Sequence, residues 1–270
     1  MAMASETARL ATAQSNCGSL ICTLRPFFRA VLLAVLVSNA TAWAGSDSTH
    51  QETTATRPLP WPGGLIPYDI SKLTAQQQTL ARSAMQRWME TGAKIKFVPR
   101  TNEVEYVYFT GKTDAGNNTS HIGFRPGSRS DINITAFWWR ENEWMPAHEL
   151  GHVLGLFHEH QRWDRDQFIH VHFENIKPGR AHDYEWIART NWLVTDLPYD
   201  YQSIMHYRVC WASACEDQCT DANGSSPCAV ISPVESRYDR VIGQWTDNHL
   251  SGLDAEKVRR IYGPIRPTTR

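Results

Sequence analysis

The chain has 270 residues, of which 41% are hydrophobic and 20% are charged, and its formal net charge is −1. This length suits one sizeable domain or two small lobes. A net charge near zero gives no electrostatic reason to expect nucleic acid or an anionic membrane as a partner. The 11 tryptophans indicate that several of these large side chains lie in the core.

Residues 1–44 have the features of a targeting segment. Arg25 and Arg29 accompany an apolar run, Phe27 to Val37, which is too short to span a bilayer comfortably. The tripeptide 42–44, Ala-Trp-Ala, provides the small-x-small pattern of signal peptidase cleavage. We therefore predict a signal peptide cleaved after residue 44 and a secreted protein. An uncleaved anchor is the alternative.

The remaining sequence divides into three parts. Residues 45–57 are polar and rich in Ser and Thr, which is typical of a flexible lead-in or a vestigial propeptide. We place one folded domain at 58–265 and a short tail at 266–270. We find no repeat or added module, and we expect no stable membrane span and a monomeric protein.

Regular secondary structure is predicted on both sides of the central motif described below. Thr74 and Gln77 form a capping box for an amphipathic helix that ends at Gly92. A last helix is predicted at 251–262, where Ser251 is the capping residue. Runs of β-forming residues predict strands at 95–98, 104–109 and 131–139.

The central motif is HExxHxxGxxH, formed by His148, Glu149, His152, Gly155 and His158. Helical residues four apart share one face, so His148 and His152 can reach one ion. Glu149 can touch a metal-bound water without being a ligand. Gly155 tolerates the left-handed backbone that ends a helix, after which the reversed chain can present His158. Three protein ligands and an open position are typical of a catalytic zinc.

Other histidines have simpler interpretations. His160 lies outside the motif and is expected to be a solvated or supporting residue rather than a ligand. His170 and His172 share one face of a predicted strand. Because no third ligand is adjacent, we favour a surface strand over a second metal site.

A second motif, SIMHY, lies at 203–207. Together with the run HEHQRWDRD at 158–166 it resembles the astacin family of metzincin metallopeptidases. The specific points of resemblance are Glu159 directly after the third histidine and Tyr207 two residues after Met205. The stretch 61–68 is also similar to the start of an astacin catalytic domain.

The resemblance implies an α+β, zincin-like fold. We expect a twisted mixed sheet with two helices in an upper lobe, and an irregular lower lobe with a C-terminal helix. The cleft lies between the lobes, with the strand 131–139 as its upper edge. An extended peptide substrate could add to such an edge as a further strand. A solvated edge without a ligand is the alternative.

The resemblance also implies roles for individual residues. One zinc ion is held by the three motif histidines, and Met205 forms an apolar floor beneath it. Tyr207 is an extra ligand at rest and stabilises the oxyanion during reaction. Glu159 pairs in the family with the buried amino terminus of the processed enzyme. Propeptides in the family often carry a latency motif, but the residues around Asp47 do not resemble it.

We therefore predict a secreted zinc endopeptidase that hydrolyses peptide bonds through a zinc-bound water, with Glu149 as general base. The alternatives are a non-catalytic peptide-binding module, an adhesion or matrix protein with this fold, and a metzincin of another family. Protein or peptide substrates are the expected partners. Arg208 or Arg237 could provide a preference for an acidic residue after the cut bond.

The cysteines outside the signal segment are Cys210, Cys215, Cys219 and Cys228. In a secreted chain an even set predicts two disulfides, with three possible pairings. A structural zinc site made of all four thiolates is the alternative, although the spacing forms no CxxC pair. Animal astacins usually carry disulfides elsewhere in the domain. This local loop follows Tyr207 and is a candidate for shaping specificity.

Overall fold

The computed structural model describes residues 55–112, 118–139, 144–219, 224–244 and 250–265. The signal segment, most of the lead-in and the tail lie outside the described residues, so these assignments and the domain boundaries stay predictions. Within the described part of the chain, no helix has the length and apolarity needed to cross a membrane.

Helix α1, Ala75–Met89, begins at the predicted capping box. The Thr74 hydroxyl accepts a hydrogen bond from the Gln77 backbone N–H, and the Gln77 side chain accepts one from the Thr74 N–H. The box satisfies amide groups that the start of a helix otherwise leaves unpaired. The apolar face of α1 then buries Ala81, Ala84, Met85 and Trp88.

Four strands form a sheet in the order β2-β1-β3-β4. The register places Ile66 opposite Phe97, Tyr68 opposite Val107 and Tyr108 opposite Asp131, and these three pairings are parallel. Thr119 adds an antiparallel bridge to Asn133, so the sheet is mixed, as predicted. The strands are β1 Leu65–Asp69, β2 Lys96–Pro99, β3 Val107–Phe109 and β4 Ser130–Ile132.

The predicted strand 131–139 is wrong beyond its first residues. Strand β4 ends at Ile132, and Ala136–Trp139 form a 3-10 turn. The Trp139 indole N–H donates to the carbonyl of Ile134 at 3.1 Å, and this local bond turns the chain inward and buries the ring. The outer edge of the sheet is consequently formed by the segment around Thr119, which pairs with Asn133.

We call residues 55–157 the upper lobe and residues 158–265 the lower lobe. Helix α2, Trp144–Val153, packs against α1 in the upper lobe. Buried residues from both helices and from the sheet form one apolar core. Its largest fully buried members are Trp88, Phe109, Ile66, Met85, Ile132, Leu150 and Leu154.

The lower lobe has little regular structure, as predicted. Strands β5, Ile169–Val171, and β6, Ile231–Pro233, form an antiparallel pair. A separate apolar core includes Ile169, Tyr184 and Ile242. Much of the remaining chain consists of 3-10 turns: Glu159–Gln161, Arg165–Gln167, Phe173–Asn175, Ala181–Tyr184, Arg189–Asn191, Glu216–Gln218 and Ser236–Tyr238.

Helix α3, Gly252–Tyr262, confirms the predicted last helix. Ser251 and Asp254 form its capping box, which satisfies the first backbone amides of the helix. Val258 is fully buried and belongs to the upper-lobe core. Helix α3 therefore belongs to the lower lobe in sequence but packs against the upper lobe.

Two disulfides close the local cysteine loop. Cys210 pairs with Cys219, and Cys215 pairs with Cys228. This is one of the three pairings that the sequence left open. The alternative of a four-thiolate zinc site is wrong, because all four sulfurs are already bonded to one another in pairs.

Candidate metal centre and cleft

Helix α2 supplies the first half of the central motif and ends where the sequence predicts. Gly155 has φ of +98°, a conformation that strains any residue with a Cβ atom. A Cβ at this position would also lie 2.8 Å from the Leu193 side chain. Both restrictions favour glycine at the point where the chain leaves the helix and turns toward His158.

The three motif histidines converge as predicted. The Nε2 atom of His158 lies 3.2 Å from Nε2 of His148 and 3.1 Å from Nε2 of His152. Two nitrogens bound at roughly 2.05 Å to a tetrahedral zinc would be about 3.3 Å apart. Among the described residues this is the one group of His, Cys, Asp or Glu side chains arranged to hold a metal ion.

Hydrogen bonds at the opposite ring nitrogens fix the tautomer of each histidine. The Nδ1 atom of His148 donates to the Ile204 carbonyl at 2.6 Å, and that of His152 donates to the Leu156 carbonyl at 2.8 Å. Nδ1 of His158 donates to the Gln161 side-chain oxygen at 3.2 Å. All three Nε2 lone pairs therefore face one another, and a cation between them removes their mutual repulsion.

Burial keeps these imidazoles neutral. Loss of solvation lowers the pKa of His148 to about 4. Burial and the neighbouring His148 lower the pKa of His152 to about 3, and the pKa of His158 is also well below its usual value, mainly through burial. Neutral imidazole is the form that binds metal, so the donor set fits a divalent ion at neutral pH.

Glu149 lies beside the histidines with a free oxygen. Its side chain is buried, and Oε2 has no hydrogen-bond partner in the described part of the chain. Burial raises the pKa of Glu149 to about 7, although hydrogen bonding with Ser120 opposes the shift. A carboxyl group with a pKa near neutrality and an available oxygen is suited to accept and return a proton.

Met205 lies against helix α2, and its role as a floor beneath a metal ion stays a prediction. It is buried at 1% exposure, and a Cβ at Gly151 would lie 2.4 Å from its sulfur atom. The backbone N–H of Glu159 donates to the Met205 carbonyl at 3.0 Å. The turn around Met205 is therefore held both to the helix and to the segment that carries the third ligand.

Tyr207 and His160 form a stacked pair next to the centre. Their ring centroids are 4.0 Å apart, and Tyr207 lies 4.4 Å from the ring of His158. Burial raises the pKa of Tyr207, so its hydroxyl stays protonated and can donate. Nε2 of His160 donates to the Asp183 carbonyl at 3.0 Å. His160 is thus a buried supporting residue, and the solvated alternative is wrong.

Glu159 is surrounded by cations and donors from the chain itself. Lys257 Nζ donates to its carboxylate at 2.7 Å, Arg162 at 3.0 Å and the Asp200 N–H at 3.0 Å. Burial acts to raise the pKa of Glu159, but Lys257 and Arg162 hold it below the usual value. The sequence did not predict the contact with Lys257. Pairing of Glu159 with a processed amino terminus stays a prediction.

The histidines open onto a cleft with a volume of about 390 Å³. Its upper rim is the edge segment around Thr119, and its lower wall carries Arg180, which pairs with Asp183 at 2.6 Å. Arg208 and Arg237 are not among the lining residues. The lining includes Asn118, Thr119, Ser120, Ile122, Thr135, Trp138, Met145, His148, Glu149, His152, His158, Arg180, His182, Asp183, Tyr207 and Trp211.

Several of these wall residues were missed by sequence reasoning. Arg180 and Trp211 belong to segments with no motif and no clear periodicity, so no sequence signal marked them, whereas Trp138 lies in the stretch 131–139 that was predicted as the edge strand of the cleft. The interpretation of His170 and His172 as surface residues is supported, because His170 is exposed and His172 bonds with Ser232 at 2.8 Å.

Ion pairs follow directly after the third motif histidine along the chain. Arg162 contacts Asp164 at 2.9 Å, and Arg165 contacts Asp166 at 3.2 Å. Arg165 is almost fully buried, and it also donates to the His160 carbonyl at 3.1 Å. These pairs stabilise the chain directly behind the metal-binding histidines.

A mixed sheet and two helices above a cleft, with three converging histidines at its base, are the features of the zincin class of fold. The model of the astacin peptidase family matches residues 53–263, and the chain belongs to this family. The structure is similar to high choriolytic enzyme 1, a hatching enzyme zinc-protease from medaka (Oryzias latipes). The TM-score is 0.61 at 26% identity, covering 79% of this chain and 100% of that protein.

Two curated relatives show the same relationship at the sequence level. Mouse tolloid-like protein 2 is 38% identical over 173 residues, which cover 63% of this chain and 16% of that protein. Zinc metalloproteinase nas-14 from Caenorhabditis elegans is 32% identical over 204 residues, which cover 75% of this chain and 37% of that protein. The chain thus spans less than half the length of these relatives.

Proposed function

We propose that this protein is a secreted zinc endopeptidase that hydrolyses peptide bonds in extracellular proteins. The observation that carries the proposal is the convergence of three neutral imidazoles beside Glu149 at the base of an open cleft. The ligands are His148, His152 and His158. Zinc, when bound, would lower the pKa of a coordinated water and polarise the scissile carbonyl.

The residues around the ligands have separate roles in this proposal. Glu149 accepts a proton from the attacking water at its free oxygen and later delivers it to the leaving amine. Tyr207 keeps its hydroxyl proton because burial raises its pKa, so it can donate a hydrogen bond to the developing oxyanion. Met205 and Gly155 keep the ligand-bearing segments in place, while Glu159 holds the segment after the third motif histidine to α3 through Lys257.

The cleft supports binding of an extended peptide. Its upper rim is the segment around Thr119, which bonds to the sheet on one side through Asn133. A substrate strand could add on the other side through backbone hydrogen bonds, which depend little on sequence. We further propose that Arg180, rather than Arg208 or Arg237, provides a preference for acidic substrate residues, since only Arg180 lines the cleft.

Peptide cleavage tests the function directly. We expect the purified zinc-loaded protein to cleave an unbiased peptide mixture and to lose this activity on chelation. Glu149→Gln keeps the shape of the side chain but removes the base, and we expect a loss of at least about 100-fold in kcat/KM. The matched control is Glu174→Gln, which changes a glutamate with 73% side-chain exposure and should leave activity unchanged.

Each outcome of this assay has a clear meaning. Cleavage that survives Glu149→Gln or complete zinc removal contradicts the proposal. A folded, zinc-loaded protein that binds peptides without cutting them would identify the non-catalytic binding module instead. Trimming the chain to residue 58 then shows whether the lead-in blocks the cleft.

Secretion and the state of the mature protein are measured separately. We expect the protein in the culture medium to begin at Gly45, as determined by mass spectrometry of its first peptide, and to sediment as a monomer. A cell-associated protein that retains residues 1–44 would support the uncleaved anchor.

A further inference from the structure

Helix α3 is connected to the first metal ligand by two consecutive hydrogen bonds. The Ile204 N–H donates to Oδ2 of Asp254 at 2.8 Å. The carbonyl of the same residue accepts the bond from Nδ1 of His148 at 2.6 Å. The backbone of Ile204 therefore links a carboxylate on α3 to the imidazole on α2.

A second bond strengthens the hold of Asp254 on this turn. The Ser203 hydroxyl donates to Oδ1 of Asp254 at 2.6 Å and accepts from the Met205 N–H at 3.0 Å. Both oxygens of the carboxylate are thus directed at the turn 203–205. This turn contains Met205, which packs against α2, and Ile204, whose carbonyl accepts the bond from His148.

These atoms are shielded from water. Asp254 and Ser203 have 0% exposure, Ile204 has 2% and His148 has 5%. Hydrogen bonds to a charged acceptor are stronger than neutral ones, and in a dry environment water cannot replace a lost partner. Replacing the carboxylate with an amide would remove its charge and one of its two acceptor oxygens, so Ser203 and Ile204 could no longer each donate to an oxygen of their own and the turn would be free to shift.

We infer that Asp254 is a positioning residue of the metal centre, which sets the orientation of the His148 imidazole through the turn 203–205. The inference rests on the proposed function only in taking the three motif histidines as the zinc ligands. Partners of a ligand histidine fix its ring orientation, and their loss typically weakens metal binding by about 10- to 100-fold.

Asp254 also has purely structural contacts, and the test must separate these from positioning. Its carboxylate accepts the Ser251 N–H at 3.2 Å in the α3 capping box, and it lies 3.6 Å from Lys257. A variant that only weakens a helix start, and a variant that only removes a buried charge, are therefore both needed as controls.

Two positions provide these controls. Thr74→Ala removes the same kind of capping box from α1, far from the turn in sequence. Asp200→Asn removes a charge from the same buried group, 3.9 Å from Lys257, provided that the zinc affinities are compared above the pKa of about 7 that burial gives Asp200. The Asp200 side chain accepts from Gln202 N–H and Ser251 Oγ, so it makes neither of the bonds to Ser203 and Ile204.

The measurement is zinc affinity of the full metal-free protein, by competition with a chromophoric chelator, together with the visible spectrum of the Co²⁺-loaded form. We expect Asp254→Asn to weaken zinc binding by about 10- to 100-fold and to change the Co²⁺ spectrum. Ser203→Ala keeps the α3 cap and the Ile204 bond but loses both bonds of the hydroxyl, to Asp254 and from the Met205 N–H, and we expect a loss below about 10-fold, smaller than that of the carboxylate. Both controls should bind zinc like the wild type.

Several outcomes would overturn the inference. It fails if Asp254→Asn binds zinc with wild-type affinity and an unchanged Co²⁺ spectrum, or if its loss is matched by either control. If Asp254→Asn does not fold, as judged by circular dichroism, Ser203→Ala decides, and wild-type affinity in that variant overturns the inference. A wild-type protein that binds no zinc would instead contradict the proposed function.

Discussion

Helix α2 presents His148 and His152 from the upper lobe, whereas His158 and Tyr207 come from turns of the lower lobe. The upper lobe is built from regular elements around one large apolar core. The lower lobe has a smaller core and depends on two disulfides and on buried charged groups around Glu159. The same metal site is thus supported by apolar packing on one side and by specific polar and covalent links on the other.

The difference shows how an irregular chain can hold functional groups accurately. Apolar packing tolerates small shifts, but buried hydrogen bonds and ion pairs lose much of their energy when their geometry changes. Arg162 illustrates this in the lower lobe, where its guanidinium contacts Glu159, Asp164 and the Pro198 carbonyl. Mutations in the two lobes should therefore have different consequences.

The largest effect is expected in the upper-lobe core. Trp88 has 0% exposure, and its indole N–H donates to the Ala147 carbonyl of α2 at 2.8 Å. Trp88→Ala should reduce the free energy of unfolding by about 3–5 kcal/mol, because it leaves a large cavity and removes the bond to the Ala147 carbonyl. Urea unfolding measures this change in the free energy of unfolding. The control, Phe137→Ala, changes a ring with 63% exposure and should cost less than about 1 kcal/mol. Equal losses of stability in the two variants would show that the buried core does not dominate the stability of the upper lobe.

The next effect concerns the covalent links of the lower lobe. Replacing Cys215 and Cys228 by serine opens a loop with a sequence separation of 13, and chain-entropy arguments predict a loss of about 3 kcal/mol. The damage should stay in the lower lobe. Limited proteolysis is expected to cut within 210–230 while hydrogen exchange in α1 is unchanged. Equal acceleration of exchange in α1 would show that the lobes unfold together.

Gly151→Ala tests the contact between the lobes. A Cβ at this position would lie 2.4 Å from the Met205 sulfur and 3.2 Å from Trp88, so we expect a loss of about 1–3 kcal/mol in stability. Gly252→Ala is the matched control in α3, because no atom lies within 4 Å of its added methyl group. That variant should gain about 0.4–1 kcal/mol. A neutral Gly151→Ala would mean that Met205 is not fixed against α2.

The last prediction concerns the pH dependence of stability within the buried charged group. Burial, helped by the charge of Asp254, raises the pKa of Asp200 to about 7. Between about pH 4 and pH 7 the unfolded chain has ionised this group while the folded protein keeps its proton, so its contribution to stability falls as the pH rises. The slope is at most about 1.4 kcal/mol per pH unit.

Asp200→Asn isolates this contribution. Relative to the wild type, the zinc-loaded variant should gain stability between about pH 4 and pH 7 and show a constant difference above that range. Thermal unfolding of both proteins at a series of pH values provides the measurement. A difference that is independent of pH would mean that Asp200 is ionised throughout.

Features that depend on neighbouring residues could be predicted from the sequence. The capping boxes of α1 and α3, the exit of the chain at Gly155 and the convergence of the motif histidines all follow from short spacings along the chain. The strand predicted at 131–139 was wrong beyond its first residues. Its β-forming composition gives no indication of the 3-10 turn at Ala136–Trp139 or of the local bond from Trp139 to Ile134.

Features that join distant parts of the chain could not be predicted. Lys257 and Glu159 are 98 positions apart, and no periodicity relates them. The disulfide pairing was open for the same reason, since spacing alone allowed three solutions. The cleft walls around Arg180 and Trp211 lie in segments whose conformation is set by the rest of the lower lobe. Such contacts follow from the folded topology rather than from local pattern.

The link from α3 to the turn under the metal has a consequence for the timing of synthesis. All three motif histidines have been translated by residue 158, but the carboxylate that holds the turn arrives at residue 254, and the helix that carries it ends at Tyr262. A nascent chain on the ribosome therefore carries the three motif histidines before Asp254 and the rest of helix α3 have been translated. Under the proposed function, the metal centre would be complete only after this helix has been synthesised and has folded back onto the turn 203–205.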